Sequence, residues 1–514
     1  MSSTWLRSAV FYQIYPNSFM DANGDGYGDF KGITSKLDHI KSLGANAIWL
    51  NPHYDSAFMD GGYDVRDYFK VSERFGTEAD FDEFIKTAHA KGIKVILDLV
   101  PGHTSEQNAD FLKSAEPTPN DMYDRFIWTD GEWVFPQGFK AISGRHDRKG
   151  NYIVNFYSTQ PSLNYGFNRI DEPSWQMPSD SDAAKKTREW LKSVMRFWLD
   201  RGCDGFRVDM ADSLVKNDGD RCEKPATSAI WRDIRNMLDN EYPDTVIISE
   251  WSDPQAIRAG FHADFMLDHH GNAYNTLVRA EEEKDRYSYF DEGGRGDAAE
   301  IARMFSEWHD AVKNDGYIAI LSCNHDTPRL APHYSPEKLK LIYATMYTLP
   351  GVPFVYYGDE IGMKYFKDLP SVECGFGRTG SRTPMQWDTS KNAGFSSADK
   401  TFLPADIDKQ INVAAQEKDK KSLLNFMRAF FAFRKSRSEF IGCDLEFVHA
   451  KGAEPLAYRR GSLLCVVNPL GVKQNVPTVV SAKAPVLFSV GKEAKPRKEY
   501  LEVPPLSFTV FDLK

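Results

Sequence analysis

Apolar positions along this chain follow two alternating rhythms. Phe81, Phe84, Ile85 and Ala88 recur at i, i+3, i+4 and i+7, the spacing of an amphipathic helix. Thr77 stands before them as an N-cap, and Gly92 follows where such a helix would stop. Ile93 to Val100 comes next, a near-continuous apolar run interrupted at Asp98. The unit recurs downstream. Trp190, Leu191, Val194, Met195, Trp198 and Leu199 mark a helix ending at Gly202, and Gly205 to Val208 reads as a strand with Asp209 at its end. Ala47 to Leu50, Val246 to Ser249, Tyr317 to Ser322 and Val352 to Tyr356 read as further strands. Apolar runs without polar alternation suit strands buried on both faces, hence a parallel sheet. At 514 residues, a (β/α)8 TIM barrel is favoured over a doubly wound sheet.

Two regions break the alternation. Residues 103–170 are polar, aromatic and without helical period, too long for a loop, and are expected to form an inserted subdomain. From about 425 short strands such as Ser462 to Val467 and Ser507 to Phe511, punctuated by Gly and Pro, predict a C-terminal antiparallel β-sandwich. The expected division is 1–102 and 171–424 for the barrel, 103–170 for the insert and 425–514 for the sandwich.

Composition narrows the function classes. Apolar residues at 41% and charged residues at 26% describe a globular chain, and the net charge of −10 disfavours a general nucleic-acid binder. Met1 to Phe19 lacks the pattern of a signal peptide, and no apolar run approaches a membrane span. The six cysteines have no CxxC pair and read as reduced thiols, so a cytoplasmic enzyme is expected.

The candidate chemistry sits at strand ends, which form the active-site face of such a barrel. Asp98 and His103, Arg207 and Asp209, Glu250, and the run Asn324-His325-Asp326 all fall there. Clustered carboxylates without zinc-type spacing suit acid/base and nucleophilic work. Glycoside cleavage needs one carboxylic acid to protonate the leaving oxygen and another carboxylate to attack carbon or activate water. Arg207, two residues before Asp209, would share its strand face and favour its ionised form.

These segments resemble the α-amylase superfamily, glycoside hydrolase family thirteen, from about Val10 to Lys514. Asp98 to His103, Gly205 to Asp209, Ser249-Glu250-Trp251 and Asn324-His325-Asp326 match its four signatures. The resemblance implies the barrel, an insert after its third strand and the C-terminal sandwich. It implies Asp209 as nucleophile, Glu250 as acid/base and Asp326 as the third carboxylate, with retention through a covalent glycosyl-enzyme. Arg207 would tune Asp209, His103 and His325 would bind sugar hydroxyls, and Tyr63 would stack under the sugar. Gly102 departs from the family's usual Asn.

Gln160-Pro161-Ser162-Leu163-Asn164 and Arg382 to Asp388 are similar to marks of the oligo-1,6-glucosidase and α-glucosidase group, with Ser162 where Asp is usual. There Asp60 and Arg382 would pair to clamp the non-reducing end, and Phe156 and Gln160 would line the pocket. Met210, after the nucleophile, leaves the linkage preference open.

An early loop, Asp21-Ala22-Asn23-Gly24-Asp25-Gly26-Tyr27-Gly28-Asp29, puts oxygen ligands at alternate positions, which suits a hard cation. Gly32 replaces the closing Glu of an EF-hand. The loop looks instead like the group's structural Ca2+ site, with Asp21, Asn23, Asp25, Asp29 and the Tyr27 carbonyl as ligands. No organic cofactor is expected.

The expectation is a retaining exo-α-glucosidase acting on a short oligosaccharide or disaccharide, with no nucleic-acid or membrane partner. A transglycosylase or isomerase of the trehalose or sucrose type is the alternative, with an endo-acting amylase or a non-catalytic relative behind it. Oligomeric state is not readable from the sequence.

Overall fold

The computed structural model describes residues 5–220, 222–267, 271–280 and 286–514. Eight parallel strands close a barrel: β1 Phe11–Ile14, β2 Ala47–Leu50, β3 Lys94–Leu99, β4 Gly205–Val208, β5 Val246–Ser249, β6 Ala263–Phe265, β7 Tyr317–Leu321 and β8 Val352–Tyr356. The strands lie in sequence order, and β8 returns to β1 with Phe354 opposite Phe11. Those two rings stack at 4.2 Å inside the barrel.

The helical rhythm folds as its spacing dictates. Helix Glu78–Ala90 buries Phe81, Phe84, Ile85 and Ala88, and Thr77 and Asp80 form a reciprocal capping box at its start. Helix Asp182–Asp200 buries Leu191, Val194, Met195, Trp198 and Leu199. Strand residues divide between two cores: Trp49, Ile96, Ile248 and Phe265 fill the barrel, while Ile48, Leu97, Phe206 and Ile247 face the helices. β4 opens on Gly205 at φ +153°, where an added Cβ would lie 2.1 Å from the Val246 carbonyl oxygen, so only glycine lets β4 and β5 approach.

The segment from His103 to Ser181 is mostly irregular, with one short helix, Ala109–Ser114, and a hairpin of Ala141–Ile142 with Tyr152–Ile153. It carries a small core of Ile127, Ile153, Phe167 and Trp175. Its end folds back on β3, where Ser162 bridges His103 and Leu163 N–H donates to the Gly102 carbonyl at 3.1 Å. This return brings Gln160 to the catalytic face.

A boundary at 425 falls inside helix Leu423–Lys435, which buries Leu423, Leu424, Met427, Phe430 and Phe431. The C-terminal strands begin beyond it: β9 Glu446–His449, β10 Leu456–Arg460, β11 Leu463–Asn468, β12 Gln474–Val476, β13 Val486–Val490, β14 Lys495–Pro496, β15 Leu501–Val503 and β16 Ser507–Asp512. They form antiparallel sheets of five strands (β9-β10-β11-β16-β13) and three strands (β12-β15-β14). Val466, Val476, Leu501, Val503 and Phe511 pack between the sheets as a sandwich core. Among the described residues, no helix is long and apolar enough to cross a membrane.

Candidate active site

Strand register assembles the charged centre. Asp98 on β3 lies opposite Arg207 on β4, and both are buried at the top of the barrel. The Arg207 side chain is 1% exposed and touches three carboxylates: Asp98 Oδ1 at 2.8 Å, Asp209 Oδ1 at 2.9 Å and Glu250 Oε1 at 2.6 Å. Glu250 Oε2 accepts the Met210 N–H at 3.1 Å. Met210 adopts φ +41°, an uncommon conformation for an unbranched side chain outside glycine, and this turns its amide to the acid.

Burial pushes both central carboxyls up, Asp209 to about 7 and Glu250 to about 8, against the pull of Arg207 on each. A hydrogen bond from Glu250 helps Asp209 stay ionised. The ordering puts the first proton on Glu250 and leaves Asp209 as the anion, the separation of states that an acid and a nucleophile require. Asp326 is held below the usual carboxylate range: against its burial stand the Arg378 and Arg382 guanidiniums bonded to it.

A cavity of about 550 Å³ opens over this centre, lined by Asp60, Tyr63, His103, Phe156, Asp209, Glu250, Asp326 and Arg378 among others. Tyr63 reaches it with its hydroxyl tied down beneath, donating to Asp98 Oδ2 at 2.8 Å and contacting His325 Nε2 at 2.7 Å. Phe156 is 41% exposed at the rim.

The clamp differs from the expected one. Asp60 is bridged by Arg378, at 3.0 Å from Nη2 to Oδ1, and not by Arg382. Arg378 Nη1 also reaches Asp326 Oδ1 at 3.1 Å. Arg382 lies deeper, bonding the same Asp326 oxygen at 2.8 Å and the His325 carbonyl at 2.9 Å. The reason is reach: Arg382 is 2% exposed and packs over the Tyr15 ring, whereas Arg378 sits one loop turn nearer the cavity. Gln160 Nε2 donates to the other Asp60 oxygen at 2.8 Å from behind the wall.

His325 also takes a different place. It is fully buried, stacked on Tyr63 at 5.3 Å with planes 7° apart, and does not line the cavity. Its ring holds Tyr63 and, through Nε2, Asp326 Oδ2 at 3.2 Å. Burial keeps it neutral, well below the usual histidine range. His103 does line the cavity, and burial lowers it to about 3, with the Tyr63 carbonyl pulling the other way.

Several participants escape sequence inspection. Arg378 precedes Arg382 by four residues in one loop, and that repeated arginine was the available signal. Asp264, on a strand of only three residues, accepts Ser249 Oγ at 2.6 Å and the Trp251, Ser252 and Asp253 amides, and so pins the chain on both sides of Glu250. Met210, Asp212, Asp220, Lys224, Trp251 and Leu267 line the same cavity.

The Asp21 to Asp29 loop follows β1. Asp21 accepts the Gly24 and Gly26 amides, Asp25 accepts that of Tyr27, and Asp29 accepts those of Ala22, Asn23 and Gly32. The carboxylates therefore close the loop on its own backbone. Among the described residues, no group of three His, Cys, Asp or Glu comes together as a metal cluster.

The chain is similar to known proteins along most of its length. Residues 13–442 match the family model of the alpha amylase catalytic domain. The chain is 33% identical over 480 residues to an alpha-glucosidase of Apis mellifera, covering 83% of this chain and 78% of that one. It is 31% identical over 506 residues to the trehalose synthase/amylase TreS of Mycolicibacterium smegmatis, covering 89% and 81%. The trehalulose synthase MutB from Pseudomonas mesoacidophila MX-45 superposes with a TM-score of 0.83 at 26% identity, over the full length of both chains.

Proposed function

Because the chain belongs to the α-amylase family, we propose that it is a retaining, exo-acting α-glucosidase of short α-glucosides. Glu250 donates its proton to the glycosidic oxygen while Asp209 attacks the anomeric carbon, so the C–O bond to the leaving sugar breaks as the C–Oδ bond forms. Glu250, now a carboxylate, takes a proton from water, whose oxygen attacks the same carbon and releases Asp209. Asp326, kept ionised by two arginines, binds ring hydroxyls and favours the flattened transition state.

The observation that carries the exo reading is the Asp60–Arg378–Asp326 bridge. On this reading the bridge, with Asp60 buried and Arg378 and Asp326 partly exposed to the cavity, closes one end of it against a continuing chain and leaves a place for a terminal sugar. An isomerase or transglycosylase is the second reading. It is favoured by the likeness to TreS and by a cavity whose lining includes the apolar side chains of Phe156, Met210, Trp251 and Leu267. Such a wall could retain the released sugar until it attacks again. Chromatography of products from maltose, isomaltose, trehalose and sucrose separates the readings. Glucose release supports hydrolysis, a rearranged disaccharide supports isomerisation, and best activity on long starch would overturn the closed-end argument.

Calcium in the Asp21 to Asp29 loop is proposed on the alternate spacing of its oxygens. Lying apart from the cavity, it would stiffen the loop and take no part in the chemistry.

A further inference from the structure

We propose that Arg74 is a positioning residue that staples together the two chain segments carrying the Asp60–Arg378 bridge, and so sets the end of the cavity where the terminal sugar would sit. The sugar's part rests on the glycosidase reading; the staple does not. Phe58 stands two residues before Asp60, and Glu373 stands five before Arg378. Arg74 meets both. Its guanidinium carbon lies 3.3 Å from the centre of the Phe58 ring, and its Nη1 lies 2.6 Å from Glu373 Oε1. The Tyr27 ring, from the loop after β1, lies 4.4 Å away, and Nη1 also donates to Asn17 Oδ1 at 3.1 Å. A flat, weakly hydrated guanidinium suits this place, because it packs on rings with its faces and donates in its plane.

Both segments need holding. Glu373, Cys374 and Phe376 have φ of +49°, +49° and +47°, and Phe58 has +55°. This left-handed region is costly for residues with a Cβ and persists where the surroundings impose it. In the 373–376 turn the strained backbone has a use. The Cys374 carbonyl accepts Arg378 Nη2 at 2.9 Å, and the Gly375 carbonyl accepts Arg378 Nε at 3.3 Å. The turn thus aims the guanidinium that bridges Asp60 and Asp326. Glu373 anchors the turn through Oε1 on Arg74, while its Oε2 is buried without a hydrogen-bond partner among the described residues.

Arg74 does not line the catalytic cavity. It lines a second one, of about 670 Å³, together with Phe58, Ser72 and Glu73. Its effect on a sugar must therefore pass through Glu373 and Phe58. Truncating it enlarges an open surface cavity and leaves the core intact, so the fold should survive the test.

The first measurement is amide hydrogen exchange of the ligand-free full chain. Arg74→Ala should speed exchange in 371–382 and 57–62 with the barrel strands unchanged, and wild-type exchange in both segments overturns the proposal. The second is steady-state kinetics on maltose. Arg74→Ala should lower kcat/KM by about tenfold, and Glu373→Ala should do the same by breaking the link from its other side. Neither should have much further effect in an Arg378→Ala background, because the group they position is then gone. Equal losses with and without Arg378 would reduce Arg74 to a general stabiliser and overturn the proposal. Glu373→Ala carries the test alone if Arg74→Ala folds poorly. Exchange is read without substrate, so failure of the glycosidase reading leaves that result standing.

Discussion

Arg378 and Asp60, both lining the cavity, are joined 3.0 Å from guanidinium to carboxylate although they stand 318 positions apart in the chain. Arg378→Ala should release both Asp60 and Asp326 and lower kcat/KM on a disaccharide by about 100-fold, because truncating one partner of a buried ion pair strands the other. Arg378→Lys should restore only part of this, since a point charge cannot fork between two carboxylates. Arg382→Ala should show first as a lower Tm. Steady-state kinetics and thermal melts on the three variants check this, and an unchanged kcat/KM in Arg378→Ala would remove the clamp.

The acid and the nucleophile are distinguishable by leaving group. Asp209→Ala should abolish turnover of every α-glucoside. Glu250→Gln should cost roughly 10³-fold on maltose but far less on an aryl glucoside, whose phenolate departs without protonation. Equal losses on both substrates would reverse or void the role given to Glu250.

The pH profile follows from the same pair. Activity needs Asp209 ionised and Glu250 protonated, so kcat/KM should fall below about 7 and again above about 8, the two limbs belonging to the coupled pair. Stability carries the opposite signature. Glu250 holds its proton more tightly folded than unfolded, so its contribution is full at acid pH and is lost as pH rises through about 8. Glu250→Gln should therefore match wild type near pH 5 and melt roughly 2 °C higher near pH 9. A gap that shrinks as pH rises contradicts the assignment.

Chelation tests the loop after β1. Exhaustive EDTA treatment should lower Tm and Ca2+ should restore it, with kcat nearly unchanged at temperatures where both forms stay folded. A Tm indifferent to both treatments would leave the loop closed by its own hydrogen bonds alone.

The barrel was largely legible because its signals are local. Helix Glu78–Ala90 was visible from four apolar positions, a cap and a glycine, and the carboxylates at strand ends followed from strand alternation. β6 was not visible, since three residues carry no periodicity, and Asp264 was hidden with it. The Asp60 partner was misread for a different reason. Two arginines four apart in one loop have the same chemistry, and only the fold decides which reaches the cavity and which is sealed over Tyr15. His325 reads from the sequence as a sugar-binding residue, and the structure places it fully buried beside Tyr63, because a sequence gives a residue's strand end but not its depth.

Arg207 serves three carboxylates with one positive charge. With Glu250 protonated, Asp98 and Asp209 still outnumber it, so the resting site is short of cation before any sugar arrives. The same deficit that awaits a carbon losing its electrons will welcome a ready-made positive guest. Hydroxylated amines, including common buffers, should therefore compete with substrate in proportion to their protonated fraction, and the choice of assay buffer becomes a variable of the enzyme itself.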